Sequence, residues 1–143
     1  MKKKSMNKMK TRKNISQASE QKIVETFLEM LITVKLYHWK THSYAQHKAT
    51  DKLYSDLNGN IDTFVETMLG KNGSRVNLTR VKSIPLIDYS SFTRFKEKID
   101  QYKQFLIKMD GSIVNISNNS DLLNIRDEIL GNLNQFSYLL TFE

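Results

Sequence analysis

Four stretches of this chain place apolar residues three and four positions apart, and little interrupts them. That spacing is the mark of amphipathic helices, whose apolar side chains return to one face about every 3.6 residues. The first stretch carries Ile23, Phe27, Met30, Leu31, Val34 and Tyr37, and the second Leu53, Leu57, Ile61, Phe64 and Met68. A third holds Phe92, Phe95, Ile99, Tyr102, Leu106, Met109 and Ile113, and a fourth Leu122, Ile125, Ile129, Leu133, Phe136 and Leu140. With one Pro and five Gly in 143 residues, helix breakers are scarce. A single all-α domain is expected, since the length suits one core.

The spacing predicts a first helix from Ser16–Ser19 to about Lys40 and a second from about Ala45 to Leu69. Asn118, Asn119 and Ser120 lead into the fourth. Between Gly70 and about Ser90 the periodicity fails, punctuated by Gly70, Gly73 and Pro85. A structureless connection of that length is unusual in a compact domain. It makes sense as the one long crossover of a ferritin-like bundle. The expected fold is therefore all-α: a ferritin-like four-helix bundle over residues 15–143, with one long crossover between the second and third helices.

Charge sets the first fourteen residues apart. They carry Lys2, Lys3, Lys4, Lys8, Lys10, Arg12 and Lys13 with no acid, while residues 15–143 hold 15 basic and 15 acidic side chains. The formal net charge of +7 is thus the charge of this arm. So polar a segment buries too little to order itself. A disordered basic arm suits sequence-independent phosphate binding by counterion release, and the balanced remainder has no net drive toward phosphate. A solubilising tail or a nuclear-type address are the other readings of the same residues. The absence of cysteine excludes disulfides, thiolate metal sites and thiol catalysis. No apolar run is long enough to span a bilayer, and no signal-peptide core follows the basic start, so a soluble protein of the cell interior is expected. Gly70–Lys71–Asn72–Gly73–Ser74 lacks phosphate-loop spacing.

One segment concentrates metal-ligand chemistry. His38, His42 and His47, the whole histidine complement, stand with the single Trp39 just before and within the second helix. Two spaced pairs follow, His47-x3-Asp51 and Asp62-x3-Glu66. At ~100° per residue these four side chains fall within about a third of a turn of one another. The centres of the pairs are ~22 Å apart along the axis, so one helix cannot close both pairs on one ion. A second copy running antiparallel across a two-fold axis would bring His47 and Asp51 of one chain against Asp62 and Glu66 of the other. Gly59, beside Ser55 and Asn58 at the centre of this face, costs about 1 kcal/mol relative to Ala. Close approach of two backbones would explain it. The other reading is a tolerated surface glycine among ordinary i,i+4 neighbours on a wet face. The ligand face is offset from the apolar stripe, so the ligands point out of the bundle toward a partner subunit.

This stretch resembles the signature of the Dps mini-ferritins, the DNA-protecting dodecameric relatives of ferritin. In that family a helix ends in His-Trp, and the next carries His-x3-Asp-x10-Asp-x3-Glu. Here His38-Trp39 and then His47, Asp51, Asp62 and Glu66 match it in type and spacing. The resemblance implies an intersubunit di-iron ferroxidase site, with His38, His47 and Asp51 from one subunit and Asp62 and Glu66 from its two-fold mate. It implies oxidation of Fe(II) by hydrogen peroxide, storage of the product as mineral in a twelve-subunit shell, and non-specific DNA binding through the Lys-rich arm. Acidic residues for nucleating mineral are sparse, so oxidation is the firmer expectation. The loop after His38 is shorter than in bacterial members, which makes His42 a candidate substitute. Trp39 would cover the site. Zn(II) competes for the same ligands. The alternative is a DNA-compacting structural or virion protein on the same scaffold, with a vestigial or zinc-filled site. The expected location is cytoplasmic or nucleoid-associated, or the virion.

Overall fold

A computed structural model describes residues 15–111 and 118–142. The basic arm and Ile113, with the expectations placed on them, lie outside the described residues. Among the described residues there are four α-helices, one 3-10 turn and no β-strand.

The helices start where a serine hydroxyl takes up an orphan amide. The first helix, α1 (Gln17–Lys40), is capped by Ser16, whose Oγ accepts from the Ser19 amide at 3.1 Å. Ser43 does the same for α2 (Tyr44–Asn72), accepting from Gln46 at 3.2 Å. Ser91 opens α3 (Phe92–Ile107), which tightens into a 3-10 turn over Lys108–Gly111. The fourth helix, α4, runs over Ser120–Leu139. Gly70 reads in the sequence as the stop of the second helix, but α2 continues through it. The stop is Gly73, whose φ of 65° is the left-handed conformation a helix end favours in glycine.

Side-chain pairs fix the topology. Phe27 meets Phe64 and His38 meets His47, so α1 and α2 are antiparallel. Phe27 also meets Phe105, and Tyr37 stacks on Phe95, so α1 and α3 are antiparallel too. Asn60 with Asn132 and Lys71 with Asp121 set α2 against α4 in opposite sense, and Lys103 with Ser137 and Arg126 with Leu106 do so for α3 and α4. The order is up, down, down, up. Because α2 and α3 point the same way, residues 73–91 must return the full length of the bundle. At ~3.3 Å per residue they reach ~60 Å, against ~43 Å for the 29 residues of α2. The crossover lies on the body: Gln21 Nε2 donates to the Asn77 carbonyl at 2.6 Å near one end, and Lys40 pairs with Asp88 at 3.1 Å near the other.

The core takes one fully buried phenylalanine from each helix, Phe27, Phe64, Phe95 and Phe136. The predicted stripes of α1 to α4 supply most of the remainder, with Leu31, Ile125 and Leu140 packed at its margin. Two polar clusters are built into it. Tyr102 donates to Glu29 at 2.7 Å and lies 3.0 Å from Thr33, with Lys98 at 3.6 Å from Glu29. Burial first, and then the neighbouring carboxylate, push the Tyr102 hydroxyl far above its ordinary range. The second cluster was invisible in the sequence: Arg126 is buried and donates to the Leu106 carbonyl and Asp110 from Nη1, and to Asp127 from Nε, at 2.7–2.8 Å.

Candidate functional site

The turn between α1 and α2 is short and tied on both sides. The Thr41 amide closes the last turn of α1 on the Tyr37 carbonyl at 3.0 Å. Tyr37 and Thr41 hydroxyls both donate to Gln46 Oε1, at 2.8 and 2.7 Å, and the Ser43 amide donates to Thr41 Oγ1 at 3.1 Å. With the turn held in this way, the last turn of α1 and the first of α2 present His38 and His47 to each other. Their rings stack with centroids 3.9 Å apart and 18° between planes.

Each ring is fixed by the other residue's backbone. His38 Nδ1 lies 3.0 Å from the His47 carbonyl, and His47 Nδ1 lies 3.1 Å from the His38 carbonyl. A carbonyl oxygen can only accept, so both Nδ1 atoms carry the proton. Thr50 Oγ1 adds a second acceptor to His38 at 2.9 Å, its own hydrogen going to the Gln46 carbonyl at 2.8 Å. In the neutral imidazoles the lone pairs are therefore on Nε2. Among the described residues no hydrogen bond or ion pair engages either Nε2. An imidazole that donates Nδ1–H to a carbonyl and offers Nε2 outward is in the tautomer that metal-ligating histidines adopt. With the shortened loop, His38 still reaches the ring of His47. His42 sits exposed on the turn and joins neither ring.

The carboxylates expected to complete the site occupy the outer face of α2. Asp51 stands one turn beyond His47, and Asp62 and Glu66 lie further along the helix. All three are exposed, and among the described residues none forms a hydrogen bond or ion pair. Among those residues no three His, Asp or Glu side chains of one chain come together closely enough to hold a metal ion. One chain supplies two oriented nitrogens and a row of unengaged carboxylates, not a closed coordination shell.

Exposed aromatic residues stand at the His47 end of this row. Trp39 is 71% exposed and Tyr44 is 73% exposed, so both rings lie largely on the surface of one chain. Lys35 Nζ lies 4.0 Å from the Tyr54 ring centroid and 5.8 Å from that of Trp39. Toward the middle of the helices, Leu28, Leu31, Ile61 and Val65 line a groove of about 230 Å³ edged by Asn58 and Asp62. A Cβ added at Gly59 would meet nothing within 4 Å, so no packing inside the chain requires glycine there.

Residues 38–140 match a family of unknown function, DUF5856. The chain belongs to this family. It is similar to an uncharacterized 14.6 kDa protein from the mobD-ri intergenic region of Enterobacteria phage T4, at 27% identity over 137 residues, which covers 91% of this chain and 97% of the phage protein. No solved structure matches. The match to DUF5856 spans His38, Trp39, His47, Asp51, Asp62 and Glu66, the residues of the mini-ferritin signature, and it overturns the Dps resemblance. The physical reason is the shortness of that signature. Two i,i+4 polar pairs on one wet helix face recur wherever a long helix has an exposed side.

Proposed function

We propose that this DUF5856 chain binds divalent first-row transition metal at His38 and His47 and oxidises Fe(II) there, in a site completed by a second copy. The observation that carries this reading is the reciprocal lock of the two imidazoles, which commits both Nδ1 atoms to backbone carbonyls and leaves both Nε2 lone pairs for a ligand. Neutral imidazole with hard carboxylate is a donor set for Fe(II), and Zn(II) competes for it. Asp62 and Glu66 of an antiparallel neighbour would supply the charge that one chain leaves open, under the two-fold relation that exchanges the ends of the α2 face.

Iron is the substrate here. Two Fe(II) give one electron each to hydrogen peroxide; with two protons, the O–O bond breaks to two waters and two Fe(III) remain. Passing both electrons at one site avoids hydroxyl radical. In this reading His38 and His47 would supply nitrogen to the pair of irons, Asp51 and Glu66 would bridge toward them and balance their rising charge, and Asp62 would orient the shell. The up-down-down-up order with one crossover is the connectivity of ferritin-like di-metal bundles, and we take that likeness as one of connectivity, without kinship. A closed oligomer on the two-fold pair, and nucleic acid held by the arm of Lys2, Lys3, Lys4, Lys8, Lys10, Arg12 and Lys13, belong to the same proposal.

The test is peroxide-driven oxidation of Fe(II) by the full chain, followed by absorbance, beside His47→Ala and Asp51→Ala/Glu66→Ala. The variants should lose most of the rate while circular dichroism is unchanged. A parent rate equal to that of the variants would sink the oxidation, and a strictly monomeric chain by native mass spectrometry at micromolar concentration would remove the shared site.

A further inference from the structure

We propose that the first half of the crossover is a second nucleic-acid surface, a phosphate-binding strip on the folded body at the root of the N-terminal arm. It rests on the reading that the arm binds nucleic acid, and it changes where that binding is expected to reside. Residues 15–143 are neutral as a whole, but the charge is not spread evenly. From residue 67 to residue 87 the chain carries Lys71, Arg75, Arg80 and Lys82 and no carboxylate.

Of these cations, Lys71 is engaged: it binds Asp121 at 3.1 Å and the Asn118 carbonyl at 2.8 Å. The other three are exposed and pair with no carboxylate among the described residues. Their contacts are local and weak in charge terms. Arg75 donates to the adjacent Ser74 carbonyl at 3.2 Å and Lys82 to the Thr79 carbonyl at 2.9 Å.

The fold sets these cations beside the foot of α1, where residues 1–14 join. The bond from Gln21 to the Asn77 carbonyl seats the crossover on the foot of α1. There Arg80 lines a cleft of about 390 Å³ with Gln17, Ala18, Gln21 and Asn77, within a turn of the point where residues 1–14 join. Lys22 and Ser83 line the next cleft along the same junction. Nearby carboxylates are already committed. Glu20 is buried and accepts from Asn72 at 2.6 Å, and Glu29 holds Tyr102 and Lys98. Glu25 is the exception, half-buried and without a described partner. The outcome is a strip of cations without carboxylate partners among the described residues, near the point where a segment with seven more joins the body.

Polyanion chemistry fits this strip, and a nucleic-acid backbone fits it best. Guanidinium groups free of carboxylates offer forked donors that match phosphate oxygens. The segment is non-helical and lies along the body, so it lacks the apolar face that seats a basic helix in a membrane surface. Contacts of this kind position a backbone without reading sequence. Deleting the arm should therefore weaken binding without abolishing it, and the salt dependence should divide between arm and strip.

The experiment compares four proteins by fluorescence anisotropy on two unrelated duplexes across a salt series. They are the full chain and the chain lacking residues 2–14, each with and without Arg75→Gln/Arg80→Gln/Lys82→Gln. At a slope of about −0.9 per phosphate neutralised, the triple substitution should reduce the log affinity–log salt slope by roughly 2–3 in both backgrounds. Arg75→Lys/Arg80→Lys should keep most of the slope. Removing three cations at the opposite end, Lys48→Gln/Arg94→Gln/Lys96→Gln, should change it little, and circular dichroism should be the same throughout. A triple variant that binds like its parent in both backgrounds would overturn the strip and leave the arm reading intact. Failure of the full chain to bind either duplex would remove the arm reading and the strip together. Tighter binding to phosphatidylserine vesicles than to DNA, lost in the triple variant, would overturn the choice of nucleic acid.

Discussion

Two polar clusters lock helix junctions in this bundle, and they are built on opposite logic. At the α3–α4 end, Arg126 commits Nη1 and Nε to Leu106, Asp110 and Asp127. At the α1–α2 end, His38 and His47 also tie two helices through their backbones, but each leaves its Nε2 open. Arg126 is buried, and its bonds tie α4 to the end of α3, so the fold it stabilises accounts for it. His38 is buried and His47 is exposed; each turns Nδ1 inward to a carbonyl and leaves Nε2 without a protein partner among the described residues. That outward half is what the proposed metal site rests on.

The largest effect is expected where the inward cluster is broken. Burial opposes the Arg126 charge, but hydrogen bonds to Asp110 and Asp127 outweigh it and hold its pKa above the ordinary value. Arg126→Met should cost about 2–3 kcal/mol, below the ~3–5 kcal/mol of a fully buried broken pair, because the abandoned carboxylates are exposed and can hydrate. Urea denaturation measures it, and a cost under about 0.5 kcal/mol would place Arg126 among ordinary surface residues.

The outward cluster should behave differently. His47→Ala should cost only about 1 kcal/mol of stability, the scale of a lost hydrogen bond. Its effect on Co(II) or Zn(II) affinity should be larger, a loss of roughly 10–100-fold. Isothermal titration beside denaturation gives both numbers. A variant that loses stability and keeps affinity would make the histidine pair a clamp of the Arg126 kind.

Glu66→Ala sharpens the contrast further, because among the described residues nothing in the chain engages Glu66. Its stability should stay within about 0.5 kcal/mol of the parent while Fe(II) oxidation drops, and His42→Ala should alter neither. Equal loss of oxidation in both variants would move the ligand from His38 to the turn.

The smallest effect belongs to an exposed pair. Burial pushes the Asp121 carboxyl up slightly, but the Lys71 ammonium and the Leu122 amide outweigh it and hold its pKa below the usual carboxylate range. A folded-state value below the unfolded one stabilises above about pH 4 and is lost as pH falls through the folded value. Solvent screening keeps the contribution under about 1 kcal/mol. The melting-temperature gap between the parent and Asp121→Asn should therefore be small at neutral pH and close in acid; a gap that widens in acid would reverse the sign.

The stripes of the four helices were legible because burial of one helix face writes itself at local spacing. The start of the first helix near Ser16–Ser19 and the long crossover were legible for similar local reasons, whereas the caps Ser43 and Ser91 were not singled out. Arg126 was not. Its register places it beside Ile125 in a stripe where an apolar residue is expected, and what permits its burial is Asp110, brought near only by the α3–α4 junction. The histidine lock was half legible. Composition marked the residues, but the tautomers depend on carbonyls that meet only when the turn closes. The mini-ferritin signature shows the opposite failure, in which correct residue types at correct spacing pointed to a family the chain does not belong to.

The crossover has a consequence for how the chain reaches this fold. The α1–α2 and α3–α4 pairs are hairpins of neighbouring segments, whose contacts close small loops. The α2–α4 and α1–α3 faces join residues far apart in sequence, such as Asn60 with Asn132 and Phe27 with Phe105. Loop-closure entropy delays such contacts relative to local ones. The polypeptide is in effect two helical hairpins on a tether, and docking of one hairpin on the other is the step expected to be slow. Lengthening the tether by a flexible insert should slow refolding only slightly, since closure cost grows with the logarithm of loop length. Substitutions in the facing phenylalanines should slow it far more.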